Sequence, residues 1–153
     1  MSLPNFLCIG SPKSATTSLF EILKQHPEIG LSSFKEPHFF DTDANWNNGK
    51  DWYEKSYFYA LDSKKSIGEF TPSYLASKIC ASRIKETLVS DVKFIVLLRN
   101  PTDRAYSHYL HTKRDEYENL SFLDSLEKED VRLKEYIDNK DDISFTRFCY
   151  KFS

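Results

Sequence analysis

Residues Asn5–His26, NFLCIGSPKSATTSLFEILKQH, decide the fold. Phe6, Leu7, Cys8 and Ile9 form a short apolar run, Gly10–Ser14 break it, and Leu19, Ile22 and Leu23 return at helical spacing. The pattern predicts a buried strand, a tight polar loop and an amphipathic helix. The loop carries Lys13 and the hydroxyls of Ser14, Thr16, Thr17 and Ser18 where a helix begins, with unpaired N–H groups and the positive end of its dipole. A phosphate or sulfate suits that layout. On the loop alone a plainer reading stays open, in which Ser14 is an N-cap and Lys13 a solvated cation. The loop is not a Walker A box, since Lys13 precedes the hydroxyls and Ala15 stands where a second glycine would be expected. It therefore points to an anion rather than to ATP.

The chain of 153 residues is long enough for one domain with a real core, and 40% hydrophobic and 29% charged residues place it among soluble globular proteins. Aromatic residues make up 15% of the chain, which suits a packed core and a ring-lined cleft. A formal net charge of -2 gives no global basic field for nucleic acid, so any anion site must be local. No apolar stretch reaches membrane-spanning length, and no secretory leader pattern is present in these residues. Cys8, Cys80 and Cys149 lie far apart with no metal-ligand spacing, and Cys8 falls inside the first apolar strand as a buried thiol. Together these features favour a reducing, cytoplasmic setting.

Further along, Glu28–Leu31 reads as a second strand and Ser66–Phe70 as a third. Lys35-Glu36-Pro37-His38-Phe39-Phe40-Asp41 mixes charge with aromatics, the polar passage from Asn45 to Asp51 reads as a loop, and Trp52–Leu61 and Ala76–Leu88 as helices. Val92–Leu98, VKFIVLL, is almost continuously apolar, as expected of a strand covered on both faces of a parallel sheet. It ends in Arg99-Asn100-Pro101, where Asn100 can cap a helix running from Pro101 to about Arg114. Ser121 opens another helix with a capping-box pattern, continuing to about Asp138, and the charges from Glu127 to Lys140 read as its solvated face. Alternating strands and helices give an α/β class: a P-loop-like, three-layer fold with a central, mainly parallel sheet flanked by helices. Ligands of such sheets bind at the carboxyl ends of the strands, where Ser11–Thr17 and Arg99 both fall.

Three separated pieces now resemble one family. Pro12–Leu19 is similar to the phosphosulfate-binding loop of sulfotransferases. Val96–Pro101 continuing to Arg104–Ser107 resembles their second cofactor motif, in which an arginine and a serine eight residues later grip a 3'-phosphate. Lys35–Asp41 resembles the segment of heparan sulfate 3-O-sulfotransferases that carries the catalytic glutamate. Two positions depart from the pattern: Ala15 replaces the usual glycine, and Phe70 stands where the glycan 3-O-enzymes tend to carry lysine, which argues against a narrow assignment to heparan sulfate. A family member is usually about twice this long. The resemblance therefore implies that residues 1–153 form a single sulfotransferase-like domain without its C-terminal part, including a further cofactor loop and much of the acceptor cleft.

The resemblance implies transfer of a sulfuryl group from 3'-phosphoadenosine 5'-phosphosulfate (PAPS) to a hydroxyl or amine of a small-molecule or glycan acceptor, leaving 3',5'-adenosine bisphosphate. It makes Glu36 the base and assigns the phosphosulfate to Lys13, Ser14, Ala15, Thr16, Thr17 and Ser18, with Lys13 also contacting the leaving group. Arg99 and Ser107 would take the 3'-phosphate. His38 either orients Glu36 or touches the acceptor, or is a packed histidine beside Phe39 and Phe40; Asp41 binds substrate or begins a turn. No metal is required, because fixed donors can supply the electrostatic stabilisation. Two rivals remain: a P-loop nucleotide-dependent phosphotransferase, which needs magnesium ligands not evident in the sequence, and a non-catalytic nucleotide- or glycan-binding remnant.

Overall fold

The computed structural model describes residues 3–88, 91–139 and 150–151. These fall into two compact units, one formed by residues up to Ser11 with Ala15–Leu98, the other by Pro12–Ser14 with the residues from Arg99 onward.

The first unit holds four strands, β1 (Phe6–Gly10), β2 (Ile29–Leu31), β3 (Ser66–Phe70) and β4 (Lys93–Val96), all parallel in the order β2-β3-β1-β4. Side chains alternate across a strand, and the alternation divides the core in two. Phe6, Cys8 and Phe70 pack on one face with Phe20 of α1 (Thr16–Leu23). Leu7 and Ile67 pack on the other with Phe39, Phe40, Tyr53 and Tyr57 of α3 (Gly49–Tyr57) and Ile84 of α4 (Cys80–Thr87). Helices thus cover both sides of the sheet. Gly68 lies beneath the Phe6 ring, where an added Cβ would come within 2.0 Å of the ring, so only glycine fits there.

Several boundaries differ from the expected ones. A short α2 (Asp43–Trp46) and the start of α3 occupy the passage read as a loop, and α3 stops at Tyr57 rather than Leu61. The aromatic anchors Tyr53 and Tyr57 fix that helix by packing, which propensity does not report. The helix expected over Ala76–Leu88 begins at Cys80 and is preceded by a 3-10 turn, Pro72–Leu75. In α1 the buried apolar position is Phe20, whereas Ile22 is 63% exposed. β4 is shorter than Val92–Leu98, and Phe94, Val96 and Leu98 are exposed. Among the described residues β4 pairs only with β1.

The second unit is helical, with α5 (Pro101–Arg114), α6 (Phe122–Glu127) and α7 (Glu129–Asn139). Asn100 caps α5 by accepting from the Thr102 and Asp103 N–H groups at 3.0 and 3.3 Å, and Ser121 caps α6 by accepting from Asp124 N–H at 3.2 Å. Lys128 separates α6 from α7, where one continuous helix was expected. Ala105, Tyr109 and Tyr150 form the core of this unit, and the buried Glu118 receives Arg132 at 2.6 Å and the Tyr150 hydroxyl at 2.9 Å. Glu129 departs from the solvated face assigned to its run: it is fully buried and accepts from Lys151 N–H at 3.0 Å. Cys8 and Cys80 are buried free thiols, while Cys149 lies outside the described residues. Among the described residues no helix is long and apolar enough to cross a membrane.

Candidate active site

After β2 the chain passes the carboxyl end of β3, held by Ser32 N–H to Gly68 O at 3.0 Å and Glu36 N–H to Phe70 O at 2.9 Å. Phe39 and Phe40 are fully buried, with Phe39 stacked on Tyr53 at 4.0 Å between ring centroids. These two rings pin the segment to the core and leave Glu36, His38 and Asp41 partly accessible around them. Glu36 and His38 both take left-handed backbone angles, φ 62° and 52°, which are costly for residues other than glycine and recur at functional sites.

The three side chains meet. His38 Nε2 lies 3.6 Å from Glu36 Oε2, while Nδ1 faces Asp41 Oδ2 at 3.0 Å. Lys35 also forms an ion pair with Glu36. Burial pushes the Glu36 carboxyl up, but hydrogen bonds and positive charge from His38 and Lys35 outweigh it and hold the group at about 2. Burial likewise pushes His38 down, and the Asp41 and Glu36 carboxylates reverse this and raise it to about 10. At neutral pH the arrangement is an ionised carboxylate beside an imidazolium oriented by a second carboxylate. The His38 ring thus lies between the Glu36 and Asp41 carboxylates and is partly exposed.

Ala15, not Ser14, occupies the N-cap of α1, in a left-handed conformation at φ 65°. The first intrahelical bond runs from Leu19 N–H to Ala15 O at 3.1 Å, so the N–H groups of Thr16, Thr17 and Ser18 form the first turn, which contains no acidic residue. Thr16 is buried, and Thr17 and Ser18 are exposed. In the second unit, Arg99 is exposed and its guanidinium donates to Lys13 O at 3.2 Å, joining two residues separated by 86 positions. Ser107 is partly buried on α5, about two turns from the Asn100-capped start. Among the described residues no three His, Cys, Asp or Glu side chains are grouped to hold a metal ion.

Sequence reading missed the support beneath this segment. Ser73 donates to Asp41 at 2.5 Å, and the buried Tyr74 hydroxyl accepts from Phe39 and Phe40 N–H at 2.9 and 3.2 Å. Glu69, fully buried, collects hydrogen bonds from Tyr53, Thr71 and Tyr74; burial nevertheless raises its carboxyl above the ordinary range. The signal was present in Glu69-Phe70-Thr71-Pro72-Ser73-Tyr74, where a charge falls on the otherwise apolar β3 just before a turn. Phe70 packs edge-to-face on Phe20 at 5.4 Å and is fully buried, so it belongs to the core.

The model of the sulfotransferase domain matches residues 3–148. The chain belongs to the sulfotransferase family. Within it, the chain is 40% identical over 111 residues to the membrane-associated sulfotransferase kil1 of Dictyostelium discoideum, covering 71% of this chain and 23% of that protein. It is 36% identical over 107 residues to human heparan sulfate glucosamine 3-O-sulfotransferase 5, covering 70% of this chain and 30% of that one. The crystal structure of a sulfotransferase from Alicyclobacillus acidocaldarius superposes with a TM-score of 0.80 at 32% identity, over 99% of this chain and 65% of the other. This sulfotransferase chain thus spans less than a third of the curated relatives' length, and its P-loop-like α/β fold is that of the bacterial structure.

Proposed function

We propose that this sulfotransferase domain catalyses transfer of a sulfuryl group from PAPS to a hydroxyl or amine of an acceptor, on a carbohydrate. The observation that carries the reading is the Glu36–His38–Asp41 constellation: a carboxylate ionised at neutral pH, partly accessible, at the carboxyl end of a parallel sheet. PAPS supplies an activated sulfuryl group. Glu36 accepts the proton that the acceptor loses as its oxygen or nitrogen bonds to sulfur, and the electron pair of the breaking S–O bond leaves on the 5'-phosphate. Lys13 neutralises that oxygen, with the first-turn N–H groups and hydroxyls of Thr16, Thr17 and Ser18 and the loop residues Ser14 and Ala15 around it. The donor set fits such an anion, since the first N–H groups of α1 lack intrahelical partners and its first turn has no acidic residue. Arg99 and Ser107 bind the 3'-phosphate, and no metal is needed to balance its charge. Imidazolium His38 and Asp41 face the acceptor side of Glu36. Buried Phe70 supplies no cation there, which favours an acceptor other than heparan sulfate.

Glu36 held at about 2 is a weak base while His38 and Lys35 remain on it. An anionic group that draws Lys35 away strengthens it, which couples filling of the site to proton abstraction. The test is a thermal shift. Stabilisation by 3',5'-adenosine bisphosphate without magnesium is expected, by about 2.7 kcal/mol at a hundredfold excess over Kd. A preference for ATP with magnesium would overturn the reading.

A further inference from the structure

We infer that Ser73 is a positioning residue for the Glu36–His38 pair, its hydroxyl holding the Asp41 carboxylate where that carboxylate fixes the histidine ring. The inference rests on the reading of Glu36 and His38 as the reacting pair. Ser73 Oγ donates to Asp41 Oδ2 at 2.5 Å and lies 3.5 Å from His38 Nδ1. Asp41 in turn takes Nδ1 through both oxygens, at 3.0 and 3.2 Å. With Nδ1 committed, Nε2 is the nitrogen left to face Glu36, at 3.6 Å.

The 3-10 turn that carries Ser73 is suited to hold a side chain in place. Tyr74, its neighbour, is buried and hydrogen-bonded to Glu69, while its hydroxyl accepts from the backbone of Phe39 and Phe40. Pro72 and Leu75 close against Gly10, where an added Cβ would meet Leu75 at 2.8 Å. Tyr74 therefore grips the main chain between His38 and Asp41, and Ser73 grips the Asp41 side chain. A turn tied at both points sets the direction of the Asp41 carboxylate more narrowly than the Thr42 hydroxyl, at 3.4 Å, does alone. The titratable and charged groups acting on His38 are Asp41 and Glu36 on its own segment, with Lys35 beyond Glu36 and Glu69 of β3, hydrogen-bonded by the Tyr74 hydroxyl, beyond Asp41.

The test reads the His38 ring by NMR titration, with its signal assigned through His38→Gln among the four histidines. The parent ring is expected to titrate well above 6.5. Ser73→Ala is expected to lower that midpoint by about one pH unit or more, and Ser73→Thr, which keeps a hydroxyl, to leave it near the parent value. Asp41→Asn should lower it as well. An unchanged or raised midpoint in Ser73→Ala overturns the inference, whether or not the melting temperature falls, because a merely structural hydroxyl would affect only the melting temperature. So does a fall in Asp41→Asn without one in Ser73→Ala. The titration needs neither donor nor acceptor, so a parent chain with a raised His38 but no sulfuryl transfer would remove the catalytic reading and leave the role of Ser73 standing.

Discussion

The segment Lys35–Asp41 and the segment Arg99–Ser107 were both legible as motifs, yet the protein holds them in opposite ways. The first is anchored by two fully buried rings, by Tyr74 on its main chain and by Ser73 on Asp41, and Glu36, His38 and Asp41 already face one another. The second stands on a well-capped helix, but Arg99 is exposed and donates to the Lys13 carbonyl. A group that must move a proton needs its geometry fixed in advance. A group that only neutralises a phosphate can be solvated and settle on its ligand, since a guanidinium keeps its charge throughout.

That contrast can be broken most sharply at Glu36. Glu36→Gln should lower sulfuryl transfer by about a hundredfold or more while the affinity for 3',5'-adenosine bisphosphate holds. Full turnover in this variant would remove the base. Arg99→Ala should do the reverse, weakening the bisphosphate by about 1.5–3 kcal/mol, the worth of a charged hydrogen bond, with stability changed by less than about 0.5 kcal/mol. Isothermal titration together with urea unfolding would decide it, and an unchanged Kd would refute the assignment.

A smaller effect tests the interlocking of the first segment through pH. His38 has a folded pKa of about 10, above its ordinary 6.5, so its contribution to stability is fully present below 6.5 and is lost as pH rises through about 10. The stability gap between the parent and His38→Asn should therefore be widest near pH 6 and narrow toward pH 10. A gap independent of pH would show that the ring acts by packing alone. The smallest effect belongs to Ala15, whose φ of 65° suits glycine. Ala15→Gly should stabilise the chain by about 0.5 kcal/mol, the left-handed strain outweighing the backbone entropy of glycine. Destabilisation in urea would show that the Ala15 methyl group makes a needed contact.

The strand-loop-helix at Asn5–His26, the strand Ser66–Phe70 and the helix Pro101–Arg114 could be read from the chain because their signals are local: an apolar run, a breaker, an asparagine cap followed by proline. The α/β class followed from their alternation, and the three motifs pointed to the family that the domain match shows. Glu36, His38 and Asp41 were legible as types of residue, but their mutual facing was not. Two left-handed residues, Glu36 and His38, turn the segment so that side chains two and three positions apart converge, and sequence spacing alone does not encode such angles. Ser73 and Tyr74 stayed hidden because each acts across more than thirty positions of chain, and Glu69 because it meets Tyr53 across 16, on groups they never neighbour in sequence. The face of β4 is a related case: an apolar run records what a strand is able to bury, and the packing of other elements decides what it does bury, so among the described residues Phe94 and Val96 are exposed. Local chemistry thus settled most of the elements and named the candidate groups. The tertiary structure decided their protonation and aim, because both depend on charges and hydrogen bonds brought close only by folding.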